Sequence, residues 1–444
     1  MLAAMPSPSD PLPPARNRDD ACPGALRLHS ADDGALARVR VPGGVLDADR
    51  AGALADAAER FGDGSLHLTS RGNVQLRGLG GNCGGPLAEL LEAAGLLPSR
   101  RHERVRNIVA SPLSGIDRTG RPDVQPWART LDGLLCASEA AAELSGRFLF
   151  AFDDGRGDVA ALGADVTIVA ESGGAHVALH LGDAPALRVP GAAAPRAALA
   201  AAETFVTTAR DGGTHAWRIR ELPDSGLALT HEVERRLTAE GVAAGAADTV
   251  LPRGRGRGPE PGAVDGPDGT RTLSVLAPLG RLTVAQWRRL ADIARRDGRG
   301  ELRLTPWRGA VVPGLVRDAA ALRLDALRSA GLVTDSRSNW IGVGACTGRP
   351  GCAKSLADVR ADAEAALRPA PGGLPVYWSG CERRCGHPRG EWVDVLATGD
   401  GYAVSARGVR QRPAAQEPAR HVARTQPSDL ASAVAAARTT PPRP

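Results

Sequence analysis

Four cysteines in two closely spaced pairs are the residues of this sequence best suited to chemistry. Cys346 and Cys352 lie in GACTGRPGC, and Cys381 and Cys385 lie in WSGCERRC. Four thiolates are the usual ligands of a 4Fe–4S cluster, with one sulfur for each iron. Structural zinc sites usually use CxxC pairs, and neither pair here has that spacing. The pattern therefore favours an iron–sulfur cluster, with a zinc site as the alternative.

The composition is that of a globular chain rather than a membrane or nucleic-acid-binding protein. The 444 residues are 24% charged, and no stretch approaches the ~18 apolar residues of a membrane span. The net charge is +5, but the basic residues are almost all arginine and do not alternate with aromatic residues. We therefore expect no nucleic-acid partner and no membrane partner. The N-terminal segment has no basic region followed by an apolar run, which predicts a cytoplasmic protein with reduced thiols.

The chain contains an internal repeat. Residues 41–69 and 277–305 align without a gap, and each copy predicts a helix, a glycine-bearing turn and a strand. The helices are expected from about Asp47 to Arg60 and from Thr283 to Arg296. A second helix follows in each copy and ends at a glycine. Length and repetition together predict several domains built around a duplicated module.

The strand motif LHLTSRGNVQLRG has one polar face. With alternate side chains on opposite faces, Asn73, Gln75 and Arg77 share one side, whereas Val74 and Leu76 share the other. The second copy, LTPWRGAVVPGL, keeps only Arg308 as a polar residue beyond the turn. We therefore expect a functional surface on the first copy alone.

These motifs resemble a known family. CTGRPGC, SGCERRC, LTSRGNVQLRG, RNIVASP and the duplication are similar to the siroheme-dependent nitrite and sulfite reductases, from about Cys22 to about Val422. The segment CPGALRLHSADDGALARVRVPGG and the short length resemble one branch of that superfamily, the precorrin-3B synthases of aerobic cobalamin biosynthesis.

The resemblance implies an α+β fold in which two ferredoxin-like half-domains and two larger α/β repeat domains surround a central cofactor site. The expected order is a disordered tail over 1–21, the first half-domain over 22–100, the first repeat domain over 101–252, a linker over 253–270, the second half-domain over 271–335, the second repeat domain with the cysteines over 336–425, and a C-terminal tail over 426–444.

The resemblance also implies site residues. Cys346, Cys352, Cys381 and Cys385 would hold the 4Fe–4S cluster, and in the reductases the position of Cys385 also bridges to the siroheme iron. Three arginines match basic positions of the tetrapyrrole pocket, and Leu149 stands where the reductases carry a lysine. These arginines are Arg71, Arg106 and Arg147, and with Gln75 and Arg77 of the polar strand face they are the candidates for tetrapyrrole or substrate binding. A separate mononuclear non-heme iron is the alternative to siroheme, and its candidate ligands are His67, His102 and His387.

The resembled branch implies an iron–sulfur monooxygenase that carries out oxygen-dependent hydroxylation and lactone formation on precorrin-3A. Its partners would be this tetrapyrrole, molecular oxygen and an external electron donor. Arginine suits such a substrate because its planar fork pairs with carboxylates. One alternative is a siroheme-dependent sulfite or nitrite reductase. Another is a zinc-stabilised binding protein without catalysis.

Overall fold

A computed structural model describes residue 20 and residues 22–251, 256–368, 373–388, 390–408, 420–423 and 427–439. Within these residues the strands form four sheets, each accompanied by helices. The predicted α+β class with two half-domains and two larger repeat domains is confirmed. Most of the predicted tail over 1–21 lies outside the described residues. None of the described helices is long and apolar enough to cross a membrane.

The first half-domain forms where the sequence alternates between strand and helix periods. Helix α1 begins after Asp47, whose carboxylate accepts a hydrogen bond from the amide of Arg50 at 2.7 Å. The elements are β1 (His29–Ala31), β2 (Gly34–Val39), β3 (Val45–Asp47), α1 (Ala48–Phe61), β4 (Ser65–Leu68), β5 (Val74–Leu79) and α2 (Gly84–Ala93).

The first repeat domain has a mixed sheet with its own apolar core. Its strands β6, β7 and β8 are parallel neighbours. The elements are β6 (Ile108–Ala110), α3 (Gln125–Ala137), β7 (Phe150–Asp153), β8 (Val166–Ala170), β9 (His176–Leu181), β10 (Ala186–Pro190), α4 (Ala194–Asp211), α5 (Leu227–Ala239) and β11 (Gly245–Ala247).

The second half-domain repeats the first. Its elements are β12 (Gly262–Asp265), β13 (Arg271–Leu276), β14 (Arg281–Thr283), α6 (Val284–Arg296), β15 (Glu301–Leu304), β16 (Gly309–Leu315) and α7 (Arg317–Ser329). Strand β12 pairs with β13, which corrects the linker predicted over 253–270. The glycine- and proline-rich composition hid a short edge strand, whose hydrogen bonds depend on its partner and not on local propensity. Residues 252–255 lie outside the described residues.

The two half-domains exchange strands. Strand β14 pairs with β4, and strand β3 pairs with β15, so each sheet is completed by the other copy. The helices α1 and α6 also meet, and the fully buried Trp287 donates to the carbonyl of Ala51 at 2.7 Å. The half-domains consequently share one apolar core, which fixes the position of every side chain on their sheets.

The cysteine domain follows and ends in a packed helix. Its elements are β17 (Val343–Ala345), α8 (Val359–Ala365), β18 (Val376–Ser379), β19 (Trp392–Ala397), β20 (Gly401–Arg407), β21 (Arg420–Ala423) and α9 (Pro427–Thr439). The segment predicted as a C-terminal tail, 426–444, contains helix α9. Leu430 and Val434 lie one helical turn apart and are buried in this domain's core, and only the end of the predicted tail lies outside the described residues.

The first repeat domain contains a buried carboxyl group with an altered acidity. Asp158 is 5% exposed and accepts a hydrogen bond from Ser111 Oγ at 2.6 Å. Burial, and then the neighbouring Asp153, raise the pKa of Asp158 to about 7. The folded chain therefore holds this proton at pH values where the unfolded chain has released it.

We expect Asp158→Asn to gain stability relative to the wild type as the pH rises from about 4 to about 7. In this window the folded state binds more protons at this site than the unfolded state, so wild-type stability falls as the pH rises. The difference should grow steadily across this window, by up to about 1.4 kcal/mol for each pH unit. Urea unfolding of both proteins across this range measures it, and parallel stability curves would contradict the assignment.

Candidate functional site

The first cysteine of each pair leaves the same edge of one sheet. Cys346 follows β17 and Cys381 lies two residues beyond β18, and these strands are parallel neighbours with Ala345 opposite Trp378. The amide of Cys346 donates to the carbonyl of Trp378 at 2.9 Å. The amide of Gly380 in turn donates to Cys346 Sγ at 3.2 Å. The strand register therefore brings the two thiol loops together.

The donor chemistry of these loops fits an iron–sulfur cluster. Burial raises the pKa of the Cys346 thiol, the amides of Gly380 and Gly348 lower it, and Cys385 and Cys381 raise it again. Three of the four thiols are thus within electrostatic reach of one another, with backbone N–H groups directed at sulfur. The cysteines that the structure describes form no disulfide.

The thiols are not gathered into a closed ligand set. Among the residues that the structure describes, no three His, Cys, Asp or Glu side chains are grouped closely enough to hold a metal ion. Cys352 follows Gly351, whose carbonyl accepts a hydrogen bond from Arg77 at 2.8 Å. The four-thiol cluster therefore remains a prediction, supported by donor type and by three converging thiols.

A row of polar side chains crosses the sheet of the first half-domain. Arg38 on β2 lies opposite Gln75 on β5, Gln75 lies opposite His67 on β4, and His67 lies opposite Arg281 on β14. Arg38 Nη2 donates to Gln75 Oε1 at 3.2 Å. Because β14 belongs to the second half-domain, strand exchange contributes one cation to this row.

Strand β5 links the two larger domains across this polar face. Asn73 donates to Asn107 of the first repeat domain at 3.0 Å. Arg77, four residues along the same face, forms a two-pronged ion pair with Asp33 at 2.7 and 2.9 Å and also binds the loop of Cys352. Gln75 lies between them along β5, on the same face of the sheet. Val74 and Leu76 are fully buried on the opposite face, as the alternation predicts.

A cleft of about 600 Å³ lies between this face and the cysteine loop 347–351. It is lined by His67, Arg77, Arg281 and Arg360 and by the segment that precedes Cys352. Its volume is within the range of about 300–1,000 Å³ that is usual for small-molecule sites. The cleft therefore places basic side chains and one thiol loop around the same space.

The cleft is lined by four arginines and four carboxylates, and two of these arginines, the exposed Arg281 and the half-buried Arg360, lie near one another. Burial, followed by Arg281, Arg77 and Arg308, lowers the pKa of Arg360 to about 10. Within the described part of the chain, neither Arg281 nor Arg360 forms an ion pair; Arg281 binds Ser65 Oγ at 2.9 Å and Arg360 binds the carbonyl of Cys346 at 3.2 Å. Guanidinium groups that form no ion pair of their own can bind an anionic ligand.

His67 contributes a buried imidazole to the cleft. Its Nε2 makes no hydrogen bond within the described residues and lies 3.7 Å from a carboxylate oxygen of Asp63. Burial lowers the pKa of His67 and outweighs the opposing effect of Asp63. The other candidate histidines lie elsewhere: His102 binds Ser99 and the carbonyl of Ser138, and His387 is stacked on Trp392.

Two of the predicted arginines lie together near the first repeat domain. Arg71 donates to the carbonyl of Gly146 at 3.3 Å, and burial followed by Arg218 lowers the pKa of Arg71 to about 10. Arg147, the next residue after Gly146, is exposed and lies 4.8 Å over the ring of Trp217. Both side chains lie beside the Gly146 loop rather than along the cleft.

Arg106 and Leu149 do not form part of an open basic pocket. Arg106 is 4% exposed, binds both carboxylate oxygens of Asp132 at 2.7 Å and donates to the carbonyl of Leu96. The guanidinium group of Arg106 is therefore already paired, so we do not include Arg106 in the proposed binding surface. Leu149 is buried in an apolar cluster with Val109.

The equivalent face of the second half-domain is covered by a loop of the first repeat domain. Its cross-strand row consists of Ser274, Val311, Arg303 and Val45. Leu113 and Ile116 of the first repeat domain pack on Val311, and Arg303 donates to the carbonyls of Pro112 and Ser114. The expectation that only the first copy presents a polar surface is therefore met, because the second face is filled by a neighbouring loop.

Several residues of the site were missed by sequence reasoning. Arg38 alternates with the buried Ala37 and Val39 on β2, a period-two signal that could have identified it. Arg281 and Arg360 offered no such signal, because they come from distant segments that meet the polar face only after folding.

Comparison with known proteins identifies the repeated module. Residues 29–94 and 264–330 match the family model described as the nitrite/sulfite reductase ferredoxin-like half domain. Both copies of the repeated module therefore match this half-domain. These matches cover the two sheets that exchange strands. The polar face with Gln75 and the loop-covered face with Val311 are therefore corresponding surfaces of two related half-domains.

Similar proteins fall into two named groups. A precorrin-3B synthase from Sinorhizobium sp is 28% identical over 423 residues, which cover 91% of this chain and 86% of the relative. A ferredoxin–nitrite reductase from Synechococcus elongatus is 27% identical and covers 80% and 74%. The NirA protein of Mycobacterium tuberculosis superposes with a TM-score of 0.67 at 19% identity, covering 89% of this chain and 79% of NirA. The last likeness shows a shared fold.

Proposed function

We propose that this chain is an oxidoreductase that converts precorrin-3A to precorrin-3B by oxygen-dependent hydroxylation and lactone formation. The observation that carries the proposal is the basic polar face of the first half-domain, which opens into a cleft beside the cysteine loops. The similarity to a precorrin-3B synthase over most of both chains supports the choice of substrate.

The arginines of the cleft bind and orient the carboxylates at the rim of the macrocycle. Among the described residues, Arg281 and Arg360 form no ion pair with a carboxylate. Their guanidinium groups could therefore each bind a carboxylate of the ligand. Gln75 and Arg38 add amide and guanidinium groups to the same polar sheet face, and Arg71 and Arg147 extend the basic surface toward the first repeat domain. The half-buried position of Arg360 strengthens its charged contacts relative to those of a fully solvated group.

A 4Fe–4S cluster on Cys346, Cys352, Cys381 and Cys385 would supply single-electron transfer. In the proposed reaction one atom of molecular oxygen enters the product and the other leaves as water. An external donor provides two electrons, and two protons are taken up. We further propose that the position occupied by siroheme in the reductases holds the substrate here. His67 is then the preferred candidate ligand for a separate mononuclear iron, because it alone of the three candidate histidines lines the cleft.

The experiment that tests this proposal is an incubation of the iron-loaded chain with precorrin-3A, oxygen and a chemical reductant. We expect a product heavier by one oxygen atom, with ¹⁸O incorporated from labelled oxygen gas. Omission of oxygen or of reductant should abolish the product. A loaded chain that binds precorrin-3A but returns it unchanged would refute the assigned reaction.

The second candidate is a siroheme-dependent sulfite or nitrite reductase. The matches to ferredoxin–nitrite reductases favour it. Against it, Leu149 occupies an apolar cluster and the fork of Arg106 is closed by Asp132, so the site has fewer free cations for a small anion. Siroheme absorption bands and consumption of sulfite or nitrite with a reduced dye would select this candidate. Zinc without acid-labile sulfide would instead select a zinc-stabilised binding protein.

A further inference from the structure

Arg308 has a backbone conformation that suits glycine. Its φ is 62°, and it occupies the position of Gly72, whose φ is 66°. The two turns correspond: Thr69 donates to the carbonyl of Asn73 and Thr305 donates to the carbonyl of Gly309, both at 2.9 Å. Glycine adopts this conformation without steric cost, whereas arginine does not. The second copy therefore keeps a large cation where the first copy has no side chain.

The side chain of Arg308 reaches the two thiol loops. A Cβ added to Gly344 would lie 3.1 Å from Arg308 Nη1, and one added to Gly386 would lie 3.7 Å from Nη2. Gly344 precedes Cys346 by two residues, and Gly386 follows Cys385 directly. The guanidinium therefore lies between the segments that carry these cysteines.

Tyr377 connects Arg308 to the second loop. The guanidinium carbon of Arg308 lies 5.9 Å from the centre of the Tyr377 ring. The hydroxyl of this tyrosine donates to the carbonyl of Cys385 at 2.6 Å. A cation from the second half-domain is thus linked through one buried ring to the backbone of a predicted cluster ligand.

We infer that Arg308 is the positioning residue of the two thiol loops and the source of positive charge for the anionic group they hold. The second part of this inference rests on the proposed function. A nearby cation stabilises the more negative, reduced state of a cluster, so its removal makes reduction less favourable. This role also explains why the second half-domain keeps the polar residue Arg308 at its turn although its sheet face is covered by a loop.

The test compares Arg308→Gly and Arg308→Lys with Arg299→Gln, an exposed arginine of the same half-domain that pairs with Asp268. Arg308→Gly should unfold at the same or a higher temperature than the wild type, because glycine relieves the left-handed backbone. In the full-length chain without iron, amide hydrogen exchange in residues 381–387 should be about tenfold faster in this variant. Arg308→Lys should be intermediate, and Arg299→Gln unchanged.

The second measurement is the reduction potential of the chain loaded with iron and sulfide. Arg308→Gly should lower the equilibrium constant for reduction about tenfold, which corresponds to about 59 mV for one electron, and Arg308→Lys should restore most of it. Faster exchange in a chain that takes up no cluster would support the positioning role and reject the cluster. Unchanged exchange, or an unchanged potential in a loaded chain, would overturn the inference.

Discussion

We expect Cys346→Ala or Cys381→Ala to abolish incorporation of iron and acid-labile sulfide and to lower the activity by about 100-fold or more. These two residues lie at the ends of neighbouring parallel strands, so either change removes a donor from the centre of the predicted ligand set. Iron and sulfide analysis after anaerobic reconstitution measures the effect, together with the visible absorption of the cluster.

Cys83→Ala is the matched control for these cysteine variants. Cys83 lies beside the first half-domain core and away from the cysteine domain, so its loss should leave the iron content unchanged. If Cys346→Ala and Cys381→Ala retained a full complement of iron and sulfide, the four-thiol assignment would be wrong.

If precorrin-3A is the substrate as proposed, we expect the double variant Arg281→Gln/Arg360→Gln to bind it about 100-fold more weakly than the wild type. Each arginine is expected to contribute a charge-assisted hydrogen bond of about 1.5 kcal/mol to a ligand carboxylate, and about 3 kcal/mol corresponds to roughly two powers of ten in Kd. Glutamine keeps a hydrogen-bonding group but removes the charge. Absorption titration under argon, without turnover, measures the dissociation constant.

Arg295→Gln controls for a general loss of positive charge, because Arg295 is exposed on α6 and pairs with Asp49. Its Kd should equal that of the wild type. Equal affinity of the double variant and Arg295→Gln would show that the substrate binds elsewhere, even if the cysteine variants behave as expected.

The outline of the fold could be predicted because its signals are local. Helix α1 spans Ala48–Phe61, close to the predicted range from Asp47 to Arg60, and α6 ends at the predicted Arg296. Apolar spacing and capping residues set these bounds before any tertiary contact forms. The alternation on β5 likewise placed Val74 and Leu76 in the core and Gln75 on the polar face.

Predictions failed where long-range pairing decided the outcome. Strand β12 lies in a segment that looks like a linker, and it exists because β13 offers an edge. Helix α9 lies in the segment predicted as a C-terminal tail, and it is held by apolar contacts of Leu430 and by hydrogen bonds from Arg438 to the carbonyls of Leu374 and Ile341. Neither partner is adjacent in sequence.

The sequence by itself determined the two cysteine pairs, the duplicated half-domain and the single polar strand face, because spacing and alternation are properties of short segments. Only the tertiary structure decided which cations share the cleft. Arg281 lies at the cleft because β14 pairs with β4, and Arg360 lies there because the cysteine domain packs on this face. Arg106 lies elsewhere, in an ion pair with Asp132. The physical reason is that the charge environment of a site is a sum over groups brought together by folding, and sequence distance does not determine their separation.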